Sequence, residues 1–92
     1  MDKHYLNEIG TEIIINCGSD VSTASKVEIR VLKPNGEAVW IPDKIEKEIV
    51  TYTTKQDDFD VAGLYYIQVY VELDSWKGLG ETATLRIYNK WE

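Results

Sequence analysis

The 92-residue chain is expected to fold as one all-β domain spanning residues 1–92, an antiparallel sandwich of about seven strands without a disulfide. Three observations predict this. Short runs of alternating apolar and polar residues recur along the chain, separated by turn signals, and no stretch sustains a helical period. The strongest turn signal, Pro34-Asn35-Gly36, lies between two such runs. A third run is entered through Asp60-Val61-Ala62-Gly63-Leu64-Tyr65, whose glycine allows a tight turn just before a tyrosine.

In order, Ile13-Ile14-Ile15 is a β-branched run opened by Gly10-Thr11 and closed by Cys17-Gly18, and reads as an early core strand. Residues 18–25 form a polar loop. Lys26 to Lys33 alternates, with Val27, Ile29 and Val31 on one face and Lys26, Glu28 and Arg30 on the other, as a half-buried antiparallel strand does. Glu37 to Ile41 returns after the Pro34-Asn35-Gly36 turn, Trp40 belongs to this strand pair, and Pro42 ends the strand because proline supplies no ladder donor. Lys44 to Thr53 is read as one further strand, followed by an acidic loop from Lys55 to Asp60. The longest strand alternates Tyr65, Ile67, Val69 and Val71 with Tyr66, Gln68, Tyr70 and Glu72. Asp74 to Gly80 reads as a glycine-rich hairpin loop, and Ala83, Leu85 and Ile87 face inward on the last strand.

The corner segment resembles the Asp-x-Ala-Gly-x-Tyr-x-Cys signature of immunoglobulin domains, so the expected sandwich is immunoglobulin-like. The resemblance implies that Asp60, Gly63 and Tyr65 form a structural corner, with the Tyr65 hydroxyl bonded to upstream backbone. Ile67 stands where the signature has cysteine, and Cys17 is the single cysteine of the chain, which excludes an intrachain disulfide. An unpaired cysteine and an amino terminus without an apolar run point to synthesis and folding in a reducing cytoplasm.

Charge narrows the possible functions. A net charge of −6, with 10 Lys and Arg scattered along the chain, argues against nucleic-acid binding, which needs clustered cations. No apolar run reaches membrane-spanning length. His4 is the only histidine, so neither a hydrolytic triad nor a histidine-rich metal site can be built, and no catalytic residue, cofactor or metal is assigned. Cys17 has no neighbour in sequence that would activate its thiol and reads as an inert buried group. Asp57, Asp58 and Asp60 match no calcium-loop spacing, and Asp60 is expected to pair with a basic residue or a turn amide.

Contact residues are the remaining candidates. Tyr66, Tyr70 and Tyr88 share the outward parity with Gln68 and Arg86, and Tyr and Arg are enriched at protein interfaces. The same tyrosines suggest an alternative, a stacking platform for carbohydrate or a receptor. Trp76, flanked by Ser75 and Lys77 in a loop, either packs back on the domain or inserts into a partner, and Trp91 is a further docking candidate.

Four stretches, Tyr5–Ile14, Val27–Gly36, Gly63–Glu72 and Trp76–Ala83, resemble small proteins encoded among tailed-bacteriophage virion genes, and also amino-terminal sandwich modules of phage baseplate upper proteins. The resemblance implies a non-enzymatic minor structural component of a phage particle, in the head, neck or tail. It would be made in the host cytoplasm and bind capsid, neck or tail proteins in a symmetric multicopy assembly. Neither nucleic acid nor membrane is an expected partner.

Overall fold

The alternating runs at Lys26–Lys33 and Gly63–Glu72 pair with each other along most of their length and form the centre of the fold. The structure, a computed structural model, describes residues 3–92. These contain strands β1 (His4–Tyr5), β2 (Glu12–Asn16), β3 (Lys26–Lys33), β4 (Gly36–Trp40), β5 (Lys44–Glu46), β6 (Ile49–Thr53), β7 (Gly63–Glu72), β8 (Lys77–Leu79) and β9 (Ala83–Tyr88). The larger sheet runs β1-β9-β7-β3-β4, with β8 also on β7, and the smaller runs β2-β6-β5. The protein is an all-β sandwich.

One face of each sheet supplies the core. Tyr65, Ile67, Val69 and Val71 of β7 are buried with Ile29 and Val31 of β3 and Ile87 of β9, while β6 contributes Val50 and Tyr52. Each such side chain contributes about 1.5–3 kcal/mol on leaving water. A run of aromatic contacts ties the sheets together. Trp40 of β4 stacks on Tyr52 of β6 with ring centroids 5.0 Å apart and planes 11° from parallel. Phe59 leans on Trp40 at 6.1 Å and meets Tyr65 edge-on at 5.9 Å and 86°. Offset and edge-on pairs add about 0.5–1.5 kcal/mol beyond area burial. The Trp40 Nε1–H is buried without a hydrogen-bond partner, at a cost of about 1–3 kcal/mol that these contacts offset.

The expected strands differ from the observed ones in four places. His4 is held in β1, a short parallel pairing with β9, and its Nδ1 lies 3.1 Å from Glu8 Oε1. The segment read as one strand from Lys44 to Thr53 is a hairpin, β5 and β6, with Glu46 opposite Ile49. Its turn residue Lys47 adopts a positive φ of 53°, a conformation glycine would have signalled. The loop from Asp74 to Gly80 contains β8, so more strands are present than the seven expected. Ala83 keeps the inward parity, opposite buried Ile67, but is exposed at the start of β9.

Candidate functional site

The corner is fastened at three points. The Tyr65 hydroxyl donates to Val61 O at 2.6 Å, closing the turn into β7 from a fully buried ring. Asp60 accepts from Lys33 Nζ at 2.7 Å and from Asn35 Nδ2 at 3.4 Å, and the Lys33 ammonium holds its carboxyl below the usual carboxylate range. Gly63 has a φ of +130°, and a Cβ there would stand 2.7 Å from Pro34 Cγ. The corner is thereby locked onto the turn between β3 and β4, at one end of the larger sheet.

Two of the three loop carboxylates serve separate partners. Asp58 accepts from the Tyr52 hydroxyl at 2.5 Å and from the Lys55 amide at 2.7 Å, while Asp60 faces Lys33. Burial and the Asp58 bond both push the Tyr52 phenol well up. Among the described residues, no group of three His, Cys, Asp or Glu side chains is arranged to hold a metal ion.

On the outer face of the larger sheet, Tyr66 lies directly between Leu32 of β3 and Thr84 of β9, and Arg86 lies opposite Leu64. Tyr70 lies between Glu28 and Leu79. Tyr88 pairs with Tyr5, with ring centroids 6.1 Å apart. The three tyrosines share one face, but successive ones are four residues apart in register, about 13 Å along the strand direction. They form a line and not one platform. Two of them are already engaged: the Arg30 guanidinium lies 4.1 Å from the Tyr70 ring centre, and Lys3 Nζ lies 4.7 Å from that of Tyr88. The Tyr70 hydroxyl also donates to Glu72 Oε2 at 2.7 Å. Tyr66 remains exposed beside Leu32, which is exposed as well, and Val39, opposite Arg30 of β3, is also exposed. Those two were not singled out from sequence. Leu32 was nonetheless readable, since it shares parity with Lys26, Glu28 and Arg30.

Trp76 both packs back and stays accessible. Its ring lies over Gly78, where a Cβ would meet Cζ2 at 3.0 Å, yet half of the residue, 52%, is exposed. It walls an open cleft of about 760 Å³ between the sheets, with Val69, Val71 and Leu73 on one side and Ile15 and Cys17 on the other. Burial pushes the Cys17 thiol up, which keeps it protonated and weakly nucleophilic at neutral pH. Trp91 is set apart from these groups; it is 89% exposed, with Lys90 Nζ 5.1 Å from its ring centre.

The fold and these surfaces define a β-sandwich module with a free cysteine, exposed apolar residues on one sheet face and an open inter-sheet cleft. No family model, curated protein or solved structure matches the chain.

Proposed function

We propose that this chain is a non-enzymatic structural and interaction module, a minor component of a tailed-phage particle that binds other particle proteins in multiple copies. The observation that carries the interaction role is the strip formed by Val39, Leu32 and Tyr66. Leu32 and Tyr66 are directly opposite each other, Val39 is opposite the neighbouring Arg30, and all three apolar side chains are exposed. Apolar and tyrosine side chains edged by arginine and acidic residues are the composition of a protein contact surface. The phage setting rests on the sequence resemblance. Mass spectrometry of purified particles tests it: the chain is expected among the particle proteins, and its absence there refutes the assignment. Leu32→Asp and Tyr66→Asp, both at exposed positions, are expected to leave the fold intact and abolish incorporation.

A further inference from the structure

The two sheets are unequal. Six strands build the larger sheet and three the smaller, so part of the inner face of the larger one lacks a strand above it. That uncovered part is the cleft walled by Val69, Val71, Leu73 and Trp76. Along its opposite rim runs β2, which among the described residues pairs only with β6.

The hydrogen-bonding parity of β2 is fixed at both ends. Thr54 N donates to Thr11 O at 2.8 Å, and Cys17 N donates to Glu48 O at 2.7 Å. In an antiparallel ladder the backbone groups alternate sides, so Thr11, Ile13, Ile15 and Cys17 face β6, while Glu12, Ile14 and Asn16 direct N–H and C=O groups to the open edge. An exposed edge of this kind is normally guarded by lysine, proline or extreme shortness. Two other outer edges are so guarded: β1 has two residues, and β5 has three and opens with Lys44, while β4 is followed two residues on by Pro42 and has no cleft beside it. The five residues of β2, Glu12-Ile13-Ile14-Ile15-Asn16, contain neither lysine nor proline, and Ile14 is 62% exposed on the outer face.

We infer that the β2 edge and the adjoining cleft form a receptor for one extended strand of a partner protein, which becomes the fourth strand of the smaller sheet. Backbone pairing with Glu12, Ile14 and Asn16 supplies the affinity, and alternate side chains enter the cleft and select for apolar residues. Charge fixes the remaining chemistry. Among the described residues Glu81 is the one charged residue in the cleft lining, Glu12 stands on the edge itself, and the chain carries −6 overall, so the strand is apolar on one face and basic on the other. The inference deepens the proposed interaction role and rests on it only for the partner being a protein.

A synthetic nine-residue peptide, Lys-Val-Thr-Val-Lys-Val-Thr-Val-Lys, tests the receptor against the full chain by titration calorimetry and residue-resolved amide exchange. Micromolar binding is expected, with the amides of Glu12, Ile14 and Asn16 gaining protection and those of Ile13 and Ile15 unchanged. Among the backbone donors of β2, Ile14→Pro removes an edge-facing N–H and none that faces β6, and is expected to raise Kd at least about tenfold. Trp76→Ala and Glu81→Lys leave the strand backbone untouched and are expected to weaken binding several-fold, which keeps the test valid if the proline variant does not fold. No heat up to millimolar peptide overturns the inference, as does binding without protection at the three edge amides or undiminished by the two side-chain variants. Protection of those amides by self-association, with no competition from peptide, assigns the edge to a second copy and also overturns it. Failure here leaves the particle assignment standing, and absence from particles leaves the peptide result standing.

Discussion

Gly63 and Pro34 approach so closely that a single added methyl at Gly63 would sit 2.7 Å from Pro34 Cγ. The close approach explains two sequence features together: glycine at the mouth of β7, and proline in the turn between β3 and β4. Gly63→Ala adds this overlap to a backbone φ of +130°, and is expected to destabilise the domain by about 2–4 kcal/mol. Pro34→Ala removes Cγ, so the double variant should recover the steric part and leave the backbone part. Urea midpoints of the four proteins measure the coupling, and additive losses would show that the two residues act separately.

Tyr65→Phe retains the buried ring and its edge-on contact with Phe59, but leaves the Val61 carbonyl without its 2.6 Å donor. A loss of about 1–3 kcal/mol is expected in chemical denaturation, with far-ultraviolet circular dichroism unchanged.

Acid should destabilise the protein in a defined window. Lys33 lowers the pKa of Asp60, the Ser22 hydroxyl and amide lower that of Asp20, and the Thr53 amide lowers that of Asp43. For Glu8, burial acts upward, but bonds from Thr11, Tyr5 and His4 outweigh it and the net shift is downward. A folded pKa below the unfolded one gives stability that is present above the unfolded value, 3.8 for Asp and 4.5 for Glu, and lost as pH falls through the folded value. The urea midpoint is therefore expected to hold from pH 7 to about 5 and to drop below about 4. Lys33→Met should make the drop shallower, and an unchanged profile in that variant would remove Asp60 from the account.

Lys47 occupies a left-handed conformation at the β5–β6 turn, φ 53°, while its carbonyl accepts from Val21 N at 2.8 Å. Lys47→Gly keeps the backbone bond and relieves the side-chain penalty. A gain of about 0.5–1 kcal/mol is expected in thermal unfolding.

What was legible in the sequence was what local chemistry specifies. The parity of Val27, Ile29 and Val31, the parity of Tyr65 to Val71, and the Gly63-to-Tyr65 spacing each determine a face or a corner within a few residues. The β5–β6 hairpin was hidden because Lys47 takes a conformation its side chain disfavours, and tertiary pairing overrides that preference. The two residues of β1 are too few to show alternation. The cleft depends on which strands fail to cover one another, since Ile15 of the smaller sheet and Val69 and Val71 of the larger line it from opposite sides, and no local pattern encodes that. Ile14 carried a partial signal: in a strand with Ile13 and Ile15 inward, the middle isoleucine must face water.

The stacking of Trp40 on Tyr52 has an optical consequence. Trp40 is buried with its indole N–H unbonded, whereas Trp76 is half-exposed at the cleft and Trp91 is almost wholly in water. The three indoles therefore report on different events. Blue-shifted emission belongs to Trp40 and disappears only when the sheets separate, Trp76 responds to whatever enters the cleft, and Trp91 records the solvent. Unfolding and partner docking can be followed in one cuvette without attaching a dye.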